Sequence, residues 1–387
     1  MTSSNARWKK PPGLRYVSIK IPALDTDASG EAAKAKHILT ANSAHEGFGF
    51  VRTPIDEFNL QGPKGTHLCL VYHPMRETLL RFQRRLPRQR LAMPIFKPYM
   101  YLLLQALDYL HSECQLIHTD IKEDNIMIRI ENDAVLNNFV EFYKANPQPR
   151  HIRPEDGRVT YLADDDLGPL QSGGDSLLPE LSDFNLSMPI LPNGGCHLSP
   201  IQSHRYRAPE VLLGCPWTYS VDIWNLGLLM WNLLEDVSLF DRPAGDHGEY
   251  DAHVHLARLA SLFGDPPDEL VKRENMYRKL PLGRLVYNAR GEACETMNQY
   301  WGGPFFDDDG QILRQDLVRH DTSLADTVTE VAGHEKEGFL DFAACMLQWL
   351  PEKRKTAKEL LQHPFFAELE DDRREYDLRR QRPVPSR

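Results

Sequence analysis

QLIHTDIKEDNIMI, residues 115–128, sets His118, Asp120, Lys122, Asp124 and Asn125 between two oily flanks. Leu116 and Ile117 lead in; Ile126, Met127 and Ile128 lead out. Branched residues of this kind favour short buried strands, so the stretch reads as strand, polar turn, strand. A polar turn gripped by core on both sides is a rigid mount for chemistry, because loops supply reactive groups and their neighbours fix the geometry.

The chain around this turn has 387 residues, 41% hydrophobic and 26% charged, with a formal net charge of -10. That length and balance predict a soluble globular protein of two domains or two lobes. A general nucleic-acid binder carries a basic surplus, so that class loses weight; an acidic balance also suits a basic polypeptide partner. The six cysteines are scattered with no C-x-x-C pair, which predicts reduced thiols rather than a disulfide framework or a zinc site. The fifteen histidines form no H-x-x-x-H pair with a third ligand near, which also weighs against a metalloenzyme. MTSSNARWKKPPG at the start offers no apolar signal core. The longest oily run, IWNLGLLMWNLL at 223–234, falls short of the ~20 residues of a membrane span and contains Asn225 and Asn232, so a buried core helix is expected there.

Before the turn, RYVSIKI (15–21) and HLCLVYHP (67–74) read as strands and EAAKAKHIL (31–39) as a helix, a small α+β unit. From Pro94 the pattern changes: Tyr99, Leu103, Leu107 and Leu110 follow helical spacing, with more helical segments from 222 onward. Between Asn125 and Asp183 lie 57 residues rich in Pro, Asp, Gly and Asn. There VLNNFVEF (135–142) reads as a short helix and RVTYL (158–162) as a short strand, with ADDDLGPLQSGGDS as a surface insert.

Three further features give the turn a chemistry. Asp120, Lys122 and Asn125 have the D-x-K-x-x-N spacing of a protein-kinase catalytic loop, although an Asp-Lys-Asn turn can also be a plain hydrogen-bonded loop. Phosphoryl transfer asks for a base at the attacking hydroxyl, positive charge at the moving group and oxygen ligands for a metal. Asp120, Lys122 and Asn125 supply one of each. LSDFN (181–185) sets Asp183 after a short strand and before Phe184, where kinases carry a metal-binding Asp. SHRYRAPEVLLG (203–214), SVDIWNLG (220–227) and PEKRKTAKELLQHPFF (351–366) then follow in order. They resemble the Ala-Pro-Glu segment, the buried Asp-x-Trp helix start and the late Arg of protein kinases. That resemblance implies that Glu210 pairs with Arg354 and that Asp222 braces the catalytic loop.

LIHTDIKEDNI, the long insert and IQSHRYRAPEVLLG resemble the SR-protein kinases, which phosphorylate serines in Arg/Ser-rich proteins. FGDPPDEL (263–270), FFDDDGQI (305–312) and MLQWLPEKRKTAKELL (346–361) extend the likeness, which covers roughly residues 15–366 and is weak before 65. It implies an α+β, two-lobed protein-kinase-like fold, with a small sheet lobe first and a large, mainly helical lobe after it. The expected division is a tail (1–14), a first lobe and hinge (15–75), a second lobe (76–366) with an insert at 131–178, and a charged tail (367–387). It implies ATP and Mg²⁺, with Asp120 as base, Lys122 as transition-state charge, Asn125 and Asp183 as metal ligands and Lys20 as phosphate anchor. Tyr72 then stands behind the adenine pocket, and His73, Pro74 and Met75 form the hinge, with the Met75 backbone facing adenine. The partners expected are ATP and basic Arg/Ser-rich proteins, with no direct nucleic acid and no membrane; a monomer in cytoplasm or nucleus is expected.

The chain departs from this pattern in four places. Thr119 stands where most kinases have an Arg that pairs with a phosphorylated activation loop, which argues against that mode of control. Asn185 stands for a Gly whose freedom at positive φ Asn shares in part. The helix glutamate that should hold Lys20 is Glu31, or is absent if Ala35 or Lys34 occupies its place. No Gly-rich hairpin can be read in TSSNARWKKPPGLR (2–15), which leaves three expectations open: an active kinase, a kinase fold without turnover acting as a scaffold, or a truncated form of an active kinase.

Overall fold

The computed structural model describes residues 16–26, 28–162, 166–171, 177–245 and 248–369. The stretch 2–15, parts of the 163–176 insert and residues 370–387 of the charged tail lie outside the described residues. In chain order the first elements are β1 (Ser18–Lys20), α1 (Ala28–Ala41), β2 (Asp56–Gln61), β3 (Thr66–Tyr72), β4 (Met75–Thr78), α2 (Leu79–Arg85) and α3 (Met93–Asp108). Then come β5 (Leu116–Ile117), β6 (Ile126–Arg129), α4 (Asp133–Ala145), β7 (Arg150–Ile152), β8 (Val159–Tyr161), β9 (Pro179–Leu181) and β10 (Met188–Pro189). The later helices include α5 (Pro209–Leu212), α6 (Ser220–Glu235), α7 (Ala252–Phe263) and α8 (Asp268–Tyr277).

The chain divides into two compact units, and the division falls inside the opening stretch, between Lys122 and Glu123. The first unit holds the described residues up to Ala44, then Phe48–Arg85 and Glu123–Asn185. Its antiparallel sheet runs β1-β3-β2, with Lys20 opposite Leu70 and Ser18 opposite Tyr72. The central strand β3 is buried continuously from Cys69 to Tyr72, as expected for a strand covered on both faces. Helix α1 packs on it through Ala32, which joins Leu70 and Tyr72 in one apolar cluster. Glu31, Ala32, Ala35 and Ile38 form the buried face of that helix, a spacing that fits a helical stripe. A second sheet, β4-β6-β9, pairs Met75 with Arg129 and Ile126 with Leu181. The insert contains the expected helix, α4, whose first turn is capped by the Asn132 side chain accepting from Ala134 N at 2.9 Å. It also contains the expected strand, β8, paired with β7. Arg76 closes the base of the insert: its Nη1 donates to both Glu131 oxygens at 2.7 Å.

The second unit holds His45–Gly47, Leu86–Lys122 and the chain from Leu186. Helix α3 buries Tyr99, Leu103 and Leu107, one turn apart as the periodicity predicts. Every residue of α6 is buried, so the oily run at 223–234 is a core helix. Glu210 of α5 and Arg354 form a bidentate pair with both N–O distances 2.7 Å.

Candidate active site

In the second unit, β5 delivers the chain into a turn held from inside the core. Asp222, in the first turn of α6 and fully buried, accepts from His118 N at 2.7 Å, from Thr119 N at 2.8 Å and bonds His111 Nε2 at 2.9 Å. Asn225, on the same helix, donates to Ile121 O at 3.2 Å. The backbone on either side of Asp120 is thus fixed by α6, the brace that the resemblance implied. Asp120 Oδ2 meets Lys122 Nζ at 2.6 Å, so the two side chains act as one charged pair. Both open onto a cavity of about 1030 Å³ whose walls include Ser203, His204, Glu249, Asp251, Glu292 and Trp301. Arg207 lies in the wall of this cavity between the rings of Tyr250 and Trp301, at 4.5 and 3.9 Å. Burial, and then the Arg207 charge, push His204 below its ordinary value.

In the first unit, the Lys20 ammonium meets Glu31 Oε1 at 2.6 Å and lies 3.7 Å from Asp183 Oδ1. The alternatives for the helix glutamate are thereby resolved: Glu31 faces Lys20, Ala35 is buried, and Lys34 donates to the Asn185 carbonyl at 2.6 Å. The signal was present in the sequence, because Glu31 lies one turn before Ala35 on the apolar side of the helix. Ser182 N and Oγ both donate to Asn125 O, at 2.8 and 2.9 Å. That places Asn125 opposite Ser182 and Asp183 one residue further along. Asp183 takes φ 67°, whereas Asn185 stays out of the left-handed region. The expected demand for a Gly-like backbone at 185 is therefore corrected: the positive φ falls on Asp183, whose short polar side chain tolerates it. Asn185 uses its side chain instead, Nδ2 donating to Asp183 Oδ1 at 2.9 Å.

Tyr72 is buried at the end of β3, with the Arg52 guanidinium 4.5 Å above its ring. Burial first, and then the Glu31 charge, push its hydroxyl well above the usual phenol value. Met75 lines a cavity of about 740 Å³ with Phe48, Arg52, Arg129 and Glu180, and none of Lys20, Tyr72, Asn125 and Asp183 lines it.

Among the described residues no group of three or more His, Cys, Asp and Glu could hold a metal by itself. An amide oxygen at Asn125 and a half-exposed carboxylate at Asp183 are hard donors. Mg²⁺ takes such a sparse set when phosphates and water complete its shell. The residues present fit that ion.

An ordered polar turn braced by a buried Asp, a paired strand lysine and an Asp-Phe turn define a phosphotransferase of the kinase class. The chain matches the protein kinase domain over residues 53–163 and 171–366 and belongs to that family. A serine/threonine protein kinase of Aspergillus fumigatus is 34% identical over 354 residues, which cover 91% of this chain and 78% of that protein. The serine/threonine-protein kinase SRPK of Physarum polycephalum is 27% identical over 333 residues, covering 81% of this chain and 70% of that one. A crystal structure of a kinase domain superimposes with a TM-score of 0.61 at 19% identity, covering 90% of this chain and 87% of that one, which shows the shared fold. Protein kinases generally use ATP and Mg²⁺ and act on protein substrates.

Proposed function

We propose that this serine/threonine kinase transfers the γ-phosphoryl group of ATP to serines of Arg/Ser-rich proteins. Asp120 accepts the proton of the attacking hydroxyl, and Lys122, its partner at 2.6 Å, carries positive charge toward the moving phosphoryl group. Lys20, held by Glu31, anchors the α- and β-phosphates. Asn125 and Asp183 would hold Mg²⁺, which when bound would neutralise charge on the phosphates. Tyr72 backs the adenine, and the Met75 backbone faces it. One observation carries this reading: the Lys20–Glu31 ion pair with the Asp183 carboxylate 3.7 Å from the same ammonium. That arrangement pre-positions a phosphate-binding cation beside a metal-binding anion.

Support for a basic substrate comes from the relatedness to SRPK and the net charge of -10; the cavity of Asp120 carries Glu249, Asp251 and Glu292 beside Lys122, Arg207 and Arg290. The same reading makes the protein a monomer of cytoplasm or nucleus, without direct nucleic-acid or membrane contact. The test is phosphate transfer from Mg-ATP to an Arg-Ser repeat peptide, beside a serine peptide lacking arginine. The repeat peptide should be labelled on serine, and Asp120→Asn should slow labelling by about 10²–10⁴-fold. Equal labelling of the two peptides would remove the Arg/Ser preference; full activity of Asp120→Asn would remove Asp120 as the base.

A further inference from the structure

We propose that Asn185 and Lys34 are positioning residues that orient the Asp183 carboxylate for its divalent cation and tie it to helix α1. The inference rests on the reading of Asp183 as a metal ligand. Asp183 sits at φ 67° on a side chain 45% exposed, so burial does not select one carboxylate orientation. Two contacts do. Asn185 Nδ2 donates to Oδ1 at 2.9 Å, and the Lys20 ammonium stands 3.7 Å from the same oxygen. Both act on Oδ1, which leaves Oδ2 turned to the other side of the carboxyl group with its lone pairs for a cation. The amide is neutral, so it fixes the carboxylate without cancelling the charge that attracts the metal.

Asn185 is in turn held at its own carbonyl by Lys34 Nζ, at 2.6 Å. Lys34 follows Glu31 by one helical turn, so the two project from neighbouring positions of one helix face. Glu31 sets Lys20 and Lys34 sets Asn185. A single face of α1 therefore orients both the cation and the anion proposed to handle the nucleotide. A glycine at 185 has no side chain to offer Asp183, so the amide adds a constraint that a glycine leaves out. Groups that hydrogen-bond a metal-binding carboxylate control its affinity strongly, and their loss commonly costs tenfold or more.

The experiment is Mn²⁺ binding to the full chain with saturating ADP, followed by electron paramagnetic resonance and independent of turnover. The unliganded urea midpoint of each variant serves as a check on folding. Asn185→Ala should weaken Mn²⁺ roughly tenfold while leaving metal-free ADP binding unchanged. Asn185→Gly gives the same reading, so one folded variant of the two suffices. Lys34→Met should weaken Mn²⁺ in the same direction, should add nothing on top of Asn185→Ala, and should be rescued by Lys34→Arg. Asp183→Asn should abolish the bound signal. If Asp183→Asn abolishes it and Asn185→Ala binds Mn²⁺ like the parent, the positioning role is wrong. If Asp183→Asn itself binds Mn²⁺ like the parent, the assignment of the metal ligand falls instead.

Discussion

Thr119 crosses the polar turn before Asp120 at φ 71°, a conformation that a β-branched residue adopts at real cost. What holds it there is visible. Its N–H donates to Asp222, and its hydroxyl donates to Leu186 O at 3.0 Å, inside a core where the residue is 1% exposed. Where most kinases carry an arginine at this place, the hydroxyl binds the segment that follows Asn185 without any phosphate. Two substitutions separate strain from bonding. Thr119→Val keeps the branch and the strain but orphans the Leu186 carbonyl, and should lose about 1 kcal/mol. Thr119→Gly loses the same bond yet relieves roughly 1–2 kcal/mol of left-handed strain, and should be as stable as the parent. Urea unfolding followed by tryptophan fluorescence measures both, because all six tryptophans except Trp8 belong to the second unit. A glycine variant less stable than the valine variant would show that strain is not what Thr119 bears.

Among the elements, helices with strong periodicity and strands rich in branched residues, such as β1, β3 and β8, were legible in the sequence, and strands marked only by their pairing were not. Helix α3 announced itself through Tyr99, Leu103 and Leu107, and α6 through an unbroken oily run. Strand β2, DEFNLQ, lies at a sheet edge with most of its residues exposed, so no alternation marks it; β7 has three exposed residues and is defined by its pairing with β8. The polar turn at 118–125 was readable as a turn because its residues are local to one another. The Lys34–Asn185 contact was not, since it joins positions 151 residues apart and neither residue type predicts it. A third case is the turn of 3₁₀ helix at Glu46–Phe50, unmarked in sequence but sharply constrained in space. A Cβ on Gly47 would lie 1.8 Å from Gln105 O and 2.9 Å from Tyr109 Cβ. The backbone carbonyl of α3 cannot yield, so Gly47→Ala should lever the turn away from that helix. The flanking bonds, Gln105 Nε2 to Glu46 at 2.7 Å and the His45–Asp108 contact at 3.4 Å, should loosen with it. Overpacking of this kind costs about 1–3 kcal/mol, read as a lowered urea midpoint for the second unit. An unchanged midpoint would show that the turn has room to move.

The second unit is closed by chemistry that links distant parts of the chain. Glu210 and Arg354 are 144 residues apart, both side chains wholly removed from solvent. Arg354 also donates to Ser220 O and Gln348 O, at 3.1 Å each, and lies 5.0 Å from the Trp224 ring centre. One guanidinium therefore joins α5, the start of α6 and the segment before the last helix. Desolvating two charges offsets most of their attraction, so such a pair specifies an arrangement more than it adds stability. The consequence is an asymmetry between single and double replacements. Arg354→Met should cost about 3–5 kcal/mol, because it leaves the Glu210 carboxylate buried and unpaired. Glu210→Leu combined with Arg354→Met removes that stranded charge and should recover much of the loss, short of the Ser220 and Gln348 carbonyls still lacking their donor. A urea-denaturation cycle over Arg354→Met, Glu210→Leu and the double variant gives the coupling directly. Strong positive coupling with a recovered double variant identifies charge pairing as the constraint. Additive losses would mean instead that the two side chains hold their segments independently, and that the closure of this unit rests on the apolar packing around α6.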